Sequence, residues 1–506
     1  MFEAAEVGRK LSKREYKAQV PGLRVELLEA QRRLREAPFP VIALFAGVDA
    51  AGKGETLNLL NEWMDPRWID TRGYMTPSDE ERERPRLWRY WRDLPPRGRI
   101  ALFLNAWYSS PIRARVAGRI QDDAFDVLLD EIVAFERMLA EDGAVILKFW
   151  MHLGKARQKR RLERLEKDPL QRWRVTKQQW RHWRMFDRFV ATADRAIRRT
   201  STELAPWHIV EGADERYRSV AVATELRDAI QRGLRRAQAS ARRTGRAATL
   251  RAATAGPARQ TLRRVERAFN VLDELDLTQR LSDRRFDREL VEQQSRLNLL
   301  QRKARAGAVS TVAVFEGWDA AGKGGAVRRV TRALDARDYQ VVPVGAPTDE
   351  ERARHYLWRF WRRLSRAGRI TIFDRSWYGR VLVERVENLI GEAEYRRAFA
   401  EIAHFEEQLA GHGILLVKFW IHISKQEQLR RFRDRASTQY KRWKITREDW
   451  RNRARWDDYT LAVNEMVAHT STAVAPWTLV EGDDKNFARV KVLRTLADAL
   501  AARLDA

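Results

Sequence analysis

The chain contains no cysteine and no long apolar run among its 506 residues. Without cysteine, disulfide bonds, thiolate metal sites and thiol nucleophiles are excluded, which fits a reducing compartment. No apolar segment is long enough to span a bilayer, and the N-terminal stretch MFEAAEVGRKLSKREYKAQ is charged and lacks the apolar centre of a secretory signal. We therefore expect a cytoplasmic protein without a membrane partner.

Positive charge, in contrast, is in excess. The chain has 97 Lys and Arg against 70 Asp and Glu, a formal net charge of +27. Such a surplus suits a polyanionic partner, and nucleic acid, an anionic membrane and inorganic polyphosphate all have that character. The length indicates more than one domain, each with enough apolar residues for a core.

An internal repeat organises the sequence. AGVDAAGKGETL at 46–57 matches EGWDAAGKGGAV at 316–327, and the offset of 270 residues also pairs Trp88 with Trp358. Repeats at a fixed offset indicate a duplicated structural unit. We refer to the two copies as the first and the second repeat.

The repeat sets the predicted domain boundaries. We predict domains at 1–236 and 281–506, joined by a basic linker at 237–280 whose first part lacks acidic residues and is rich in small ones. Each repeat should open with a charged helical arm, near 11–36 and 281–306.

Short apolar runs alternate with longer amphipathic segments in both repeats. Strands are predicted to begin at 41, 100, 144 and 207, and at 312, 370, 414 and 477. Continuous apolar strands separated by helices predict a parallel sheet covered on both faces, and therefore an α/β fold. Ligands in such folds bind beyond the carboxyl ends of the strands.

A Gly-Lys loop follows the first strand of the second repeat. Its amides and the next helix N-terminus should cradle phosphates. The predicted phosphate-binding loop includes Gly317, Gly322, Lys323 and Gly324. The last of these stands where a Ser or Thr hydroxyl usually holds Mg²⁺.

Two carboxylates can replace that hydroxyl. Asp319 lies inside the loop, and Asp374 ends the strand that begins at 370, where P-loop enzymes carry a metal-holding carboxylate. We predict that both hold the metal. A structural ion pair between Asp374 and a neighbouring arginine is the alternative.

Phosphoryl transfer also needs positive charge on the transferred group. Arg375 and Arg380 follow Asp374 closely on the loop into the next helix. The basic segment 422–450 follows the strand at 414, where P-loop kinases carry a lid. The alternative is that these basic residues form only a solvated helix face. The lid residues predicted to contact a polyanion are Lys425, Arg430, Arg431, Arg442 and Lys444.

The motifs GWDAAGKGG, PTDEE, FDRSWYGRVLVERV, HISKQEQLRRF, KRWKITREDWRNRARWDDY and GDDK make residues 281–506 resemble the polyphosphate kinase 2 family. The resemblance implies tandem P-loop kinase-like domains with basic helical lids, Mg²⁺ or Mn²⁺ as cofactor, and phosphoryl transfer between inorganic polyphosphate and a nucleotide. The catalytic residues that it implies are Asp319, Lys323, Asp374, Arg375, Arg380 and Glu384.

Two fused copies resemble the branch of this family that phosphorylates AMP to ADP. Transfer to ADP or GDP is the main alternative, followed by an ATP-dependent nucleotide kinase or a polyanion-binding protein. We predict no specific nucleic-acid partner. A homo-oligomer is left open.

The first repeat departs from this pattern. Asp49 and Lys53 keep the loop, but Leu104 and Asn105 stand at the positions of Asp374 and Arg375. Without a metal carboxylate, metal-assisted transfer should fail, so we predict a catalytically silent repeat. This repeat either still binds phosphate chains through the basic stretch 155–167 or only completes the fold.

Overall fold

The computed structural model describes residues 1–254, 270–439, 442 and 445–505, with the backbone alone for 244–254. The chain divides into two compact units. The first comprises Met1–Pro77, Tyr90–Pro257 and Asp349–His355, and the second Ser78–Arg89, Ala258–Thr348 and Tyr356–Ala506. Each unit thus contains a short segment of the other repeat.

Each unit is built on a five-stranded parallel sheet, so the predicted α/β class is confirmed. The strands of the first sheet are β1 (Val41–Gly47), β2 (Ile69–Gly73), β3 (Ile100–Leu104), β4 (Val145–His152) and β5 (Trp207–Glu211), in the order β2-β3-β1-β4-β5. Those of the second are β6 (Thr311–Gly317), β7 (Tyr339–Pro343), β8 (Ile370–Asp374), β9 (Leu415–His422) and β10 (Trp477–Glu481), in the equivalent order β7-β8-β6-β9-β10.

Helices flank both sheets. The first repeat contributes α1 (Lys13–Leu34), α2 (Lys53–Trp63), α3 (Asp79–Arg82), α4 (Trp88–Arg92), α5 (Ser109–Val116), α6 (Asp122–Glu141), α7 (Lys155–Lys167), α8 (Lys177–Arg184), α9 (Phe186–Thr200) and α10 (Glu215–Thr254). The second contributes α11 (Asp283–Ala306), α12 (Lys323–Ala333), α13 (Asp349–Arg352), α14 (Trp358–Trp361), α15 (Val383–Val386), α16 (Glu392–Gly411), α17 (Lys425–Ser437), α18 (Arg447–Ala454), α19 (Trp456–Thr470) and α20 (Lys485–Asp505). Short 3₁₀ helices lie at Phe2–Ala5, Pro66–Trp68, Arg172–Arg174 and Trp377–Arg380.

The helical arms α1 and α11 confirm the predicted openings of the two repeats. The first begins where Ser12 accepts a hydrogen bond from the amide of Glu15, whose carboxylate in turn accepts from the Ser12 amide. This reciprocal cap satisfies two amides that the first helical turn leaves without partners. None of the helices in the described ranges is long and apolar enough to cross a membrane.

Part of the predicted linker is structured. Helix α10 continues past 236 to Thr254. Most residues of this stretch are alanine or arginine, and both favour helix. Residues 255–269 lie outside the described part of the chain. Beyond them, the amide of Val271 donates to Asn464 Oδ1 at 2.8 Å, so the end of the predicted linker packs on α19.

A buried lysine on the fourth strand of each sheet holds strand and helices together. In the second repeat Lys418 Nζ donates to Glu406 Oε2 at 2.7 Å, to the Tyr378 hydroxyl at 2.9 Å and to the Thr470 carbonyl at 2.7 Å. Lys148 of the first repeat makes the same contacts with Glu136, Tyr108 and Thr200, at 2.7, 3.0 and 2.7 Å. Because both ions are buried and hydrogen-bonded, the pair is satisfied within the core.

Candidate active site

The loop between β6 and α12 passes close to the neighbouring strand β9. A Cβ on Gly317 would lie 2.4 Å from the carbonyl oxygen of Ile421. Only glycine, which has no Cβ, avoids this steric clash. At the other end of the loop, Gly322 has φ of 115°, a left-handed conformation that glycine adopts without steric cost. The helix α12 begins at the next residue, Lys323, as the phosphate-loop pattern predicts.

Lys323 is folded back into this loop. Its Nζ donates to the carbonyl of Gly317 at 2.6 Å and to that of Trp318 at 3.1 Å. Burial lowers the pKa of Lys323, and the nearby Arg375 lowers it further. The carboxylates that act in the opposite sense are Asp319, Asp374 and Glu316. The structure therefore brings three predicted catalytic residues, Asp319, Asp374 and Arg375, close to the ammonium group of a fourth, Lys323.

Asp319 is held from two sides. Its Oδ1 accepts from Arg375 Nη2 at 3.1 Å, and its Oδ2 accepts from Asn452 Nδ2, on α18, at 2.8 Å. Arg375 itself has φ of 65°, and its amide donates to the carbonyl of Phe315 on β6. This bend after β8 turns the arginine towards the loop.

Asp374 ends β8 beside β6, in register with Phe315. Within the described residues, its carboxylate makes no hydrogen bond or ion pair. The alternative interpretation, a structural pair with a neighbouring arginine, is not realised, since Arg375 pairs with Asp319 instead. Asp374 is thus the carboxylate with free lone pairs at the end of the strand.

The donor set fits magnesium better than a metal that needs a complete protein cage. Over the ranges that the structure describes, no three His, Asp or Glu side chains are arranged to hold a metal ion. Mg²⁺ is usually bound through one or two carboxylates together with substrate phosphates and water. Asp374 and Asp319 are carboxylates of this kind, and Asp319 would exchange a hydrogen bond for an ion bound there.

Arg380 and Glu384 form a pair of their own. Arg380 Nη1 donates to Glu384 Oε2 at 2.8 Å, Nη2 donates to Glu394 at 3.2 Å, and the guanidinium lies 5.0 Å from the Tyr356 ring centroid. No contact with the phosphate loop is seen for this pair in the described parts of the chain. The structure therefore places the two beside each other, but does not bring them to Lys323.

The predicted lid residue Arg431 lies beneath the loop. Its Nη1 donates to the carbonyls of Ala320 and Ala321 at 3.0 and 2.8 Å, and its Nη2 donates to Gly482 O at 2.6 Å. The side chain is 3% exposed, so its donors are already used on the protein. Arg431 thus supports the loop and does not belong to the surface that a lid would present.

The other predicted lid residues are less confined. Lys425 Nζ lies 5.9 Å from the Trp456 ring centroid, and the exposed Arg430 pairs with Glu427 at 2.6 Å. Arg442 is exposed and donates to the carbonyl of Ala436 at 3.0 Å. Lys444 lies outside the described residues. The basic segment therefore contains the helix α17, in which Lys425 and Arg430 are exposed and Arg431 is buried.

Sequence reasoning missed Glu316, the residue just before the loop. It is buried, and its Oε1 accepts from Ser376 Oγ at 2.8 Å, which joins β6 to the turn after β8. In the first repeat both partners are alanine, Ala46 and Ala106. Glu316 and Ser376 are thus both absent from the first repeat, as Asp374 is. This shared absence is the sequence signal that could have identified them as a pair.

Trp318 was also missed as part of the site. Its ring stacks on Trp456 with centroids 3.7 Å apart and an interplanar angle of 6°, and its Nε1 donates to His422 Nδ1 at 3.1 Å. Burial lowers the pKa of His422 to about 4, so this imidazole is a neutral acceptor. The stack fixes the loop against α19. Val48 and Phe186 occupy the equivalent positions in the first repeat.

The first repeat preserves the loop but not the carboxylate at the end of the neighbouring strand. Lys53 Nζ donates to Gly47 and Val48 carbonyls at 2.8 Å, as Lys323 does to its own loop. Asn105 has φ of 55°, close to the value at Arg375, so the bend after the strand is retained. Leu104, however, supplies no carboxylate, and Asp49 is bonded to His182 Nδ1 at 2.7 Å.

These features define a class of protein. Two parallel α/β sheets with equivalent strand order each carry a Gly-Lys loop between the central strand and the following helix, which is the arrangement of tandem P-loop kinase-like domains. The second copy also carries a strand-end carboxylate, Asp374, that is unpaired among the residues the structure describes.

The chain belongs to the polyphosphate kinase 2 family, whose model matches residues 10–238 and 280–505. It is 52% identical to the polyphosphate:AMP phosphotransferase of Pseudomonas aeruginosa, with 99% of each chain covered, and 48% identical to that of Pseudomonas syringae pv. tomato, with 99% of this chain and 98% of the relative covered. A crystal structure of a polyphosphate kinase 2 from Pseudomonas aeruginosa superimposes with a TM-score of 0.87 at 49% identity, covering 100% of this chain and 99% of the other. The family transfers phosphate between polyphosphate and nucleotides.

Proposed function

We propose that the second repeat transfers the terminal phosphoryl group of inorganic polyphosphate to AMP, producing ADP. The observation that carries this proposal is the convergence of Asp319, Asp374 and Arg375 on the half-buried Lys323 at the carboxyl ends of β6 and β8. The choice of AMP is supported by full-length relatives that are polyphosphate:AMP phosphotransferases.

Phosphoryl transfer requires mainly alignment and neutralisation of charge. In the proposed step an oxygen of the AMP α-phosphate attacks the terminal phosphorus of polyphosphate, and the bond to the next phosphate breaks, leaving a chain one unit shorter. Loop amides and Lys323 hold the phosphates. Arg375, whose side chain is half exposed, is free to turn from Asp319 to the transferred group.

We further propose that Asp374 and Asp319 would hold Mg²⁺, with Mn²⁺ as a substitute. When bound, the ion neutralises negative charge on the phosphate oxygens. Asp374 is the ready ligand because no other side chain in the described residues engages it. Asn452 and Arg375 orient Asp319 until it exchanges one of their hydrogen bonds for the metal.

The first test is a product assay. The purified protein is incubated with Mg²⁺, long-chain polyphosphate and either AMP or ADP, without ATP, and the nucleotides are separated by chromatography. ADP formed from AMP supports the proposal. ATP formed only from ADP would retain polyphosphate as the donor but overturn AMP as the acceptor, and no product from either would revive the ATP-kinase and polyanion-binding alternatives. Asp374→Leu, which copies Leu104, is the matched inactive control.

A further inference from the structure

Three arginines of the first repeat converge on one carboxylate beside the phosphate loop. Glu55 lies in the first turn of α2, two residues after Lys53. Its Oε1 accepts from Arg174 Nη2 at 2.7 Å, and its Oε2 accepts from Arg161 Nη2 at 2.7 Å and from Arg218 Nη2. A carboxylate in this position carries the negative charge and accepts the charge-assisted hydrogen bonds with which arginines recognise a phosphate.

Arg218 also closes the space against the loop itself. Its side chain is 1% exposed, and its guanidinium carbon lies 2.3 Å from the point where a Cβ on Gly52 would stand. Its Nη1 donates to the carbonyl of Gly212 at 3.1 Å, while its Nε has no hydrogen-bond partner in the described structure. The arginine therefore fills the volume at the left-handed glycine that opens α2.

The second repeat lacks both features. Gly325 replaces Glu55 and Ala488 replaces Arg218. Beside Gly325 one cation has no matching anion: Arg489 Nη2 lies 3.8 Å from the position of a Cβ on Gly325, and this arginine makes no ion pair in the described part of the chain. Burial, together with Arg329, Arg328 and Arg431, lowers the pKa of Arg489 to about 10. A cation without an ion-pair partner beside a helix N-terminus attracts a phosphate chain.

We propose that Glu55 is a built-in anion that takes the place of a polyphosphate phosphate group and so closes the loop of the first repeat to polyphosphate. The closure is electrostatic, because Glu55 neutralises the arginines that would bind the chain, and the buried Arg218, packed against Gly52, holds Glu55 in place. This inference rests on the proposed function only in taking polyphosphate as the ligand. Of the two alternatives for the first repeat, it favours completion of the fold over phosphate binding at the loop.

The inference predicts that removing Glu55 creates a binding site. Glu55→Gly, which copies Gly325, leaves Arg161, Arg174 and Arg218 without their carboxylate. Calorimetric titration of the full-length protein with tripolyphosphate, at roughly physiological ionic strength, should show one site per wild-type chain and two per Glu55→Gly chain. Adding Lys53→Ala to that variant should return the number to one.

Two further variants separate the effect of the Glu55 charge from effects of the substitution on folding. Glu55→Gln keeps the side-chain shape and the helix, so it tests the effect of the charge alone. It should also gain a site, and it takes the place of Glu55→Gly if that variant folds poorly. Gly325→Glu places the same carboxylate in the second repeat and should weaken tripolyphosphate binding there by about tenfold or more.

Two results would overturn the inference. The first is a second site in the wild-type protein that Lys53→Ala removes. The second is an unchanged number of sites in folded Glu55→Gly and Glu55→Gln chains. Failure of the proposed function has a different signature: no site in the wild type and one in Glu55→Gly would reject polyphosphate binding by the second repeat while supporting closure of the first.

Discussion

The two repeats agree in the interior and differ at the carboxyl ends of their strands. The hydrogen bonds of the buried Lys148 and Lys418 agree to within 0.1 Å, and both Gly-Lys loops fold their lysine back on the loop carbonyls. In contrast, Asp374 is replaced by Leu104, and Gly325 by Glu55. The fold and the proposed chemistry therefore depend on separate sets of residues, and one set can be lost without the other.

The largest effect should come from making the second repeat resemble the first at the strand end. Asp374→Leu should reduce ADP formation about 10³-fold or more, because the metal loses its ready ligand. The thermal stability should not fall, since no protein partner of this carboxylate is lost within the described residues. Leu104→Asp is the reverse change and should add no activity. A gain of turnover in that variant would show that the first repeat lacks only a carboxylate.

Changes to the shared interior should affect both repeats alike. Lys418→Met and Lys148→Met each leave a buried glutamate, Glu406 or Glu136, without its ammonium partner, and should each lower the free energy of unfolding by about 3 kcal/mol or more. Urea denaturation of the two variants checks this. A much smaller effect at Lys148 would mean that its network is not a structural equivalent of the one at Lys418.

The link between Glu316 and Ser376 should matter for turnover more than for folding. Because it ties the loop strand to the turn that carries Asp374 and Arg375, Glu316→Ala and Ser376→Ala should each reduce kcat about 10- to 100-fold with little change in KM. The double variant should be little worse than either single one, as expected for partners in one contact. Additive losses would place the two residues in independent roles.

Acid should destabilise the second repeat through His422. Burial lowers its pKa from 6.5 to about 4, so the unfolded state binds a proton more readily than the folded state between these values. Stability is therefore complete above pH 6.5, falls as the pH drops towards 4, and is lower by about 2 kcal/mol at pH 5 from this group alone.

Unfolding at pH 7 and pH 5 measures the effect. His422→Asn removes the titrating group and should make the protein less sensitive to this pH change. His152→Asn, the matched change in the first repeat, should do so less, because Glu6 contacts the His152 ring at 2.8 Å and opposes the lowering of its pKa. Equal sensitivity in the two variants would contradict this difference between the repeats.

The parts of the fold that could be predicted are those whose signal is local. Strands such as β1 and β6 are buried on both faces and appear as continuous apolar runs. The edge strands β2 and β7, with sequences IDTRG and YQVVP, were missed because each pairs on one side only and mixes polar with apolar residues. The helical end of α10 was missed because the linker prediction rested on the lack of amphipathic periodicity.

The site shows the same limit. Asp319, Lys323 and Asp374 could be predicted as neighbours because they follow adjacent parallel strands. The burial of Arg431 could not be predicted, since a run of basic residues does not tell which of them turns inward to the loop carbonyls. Glu316 could not be predicted because it lies near the end of a buried strand, where a carboxylate is not expected. Only the structure shows that Ser376 is its hydrogen-bond partner.

The central claim is that phosphoryl transfer takes place in the second repeat alone. Its most direct test measures ADP formation from AMP and polyphosphate by Lys53→Ala and Lys323→Ala side by side, since both lysines make the same loop contacts. We predict that Lys53→Ala retains most of the wild-type turnover and that Lys323→Ala abolishes it. Equal losses in the two variants would contradict the account.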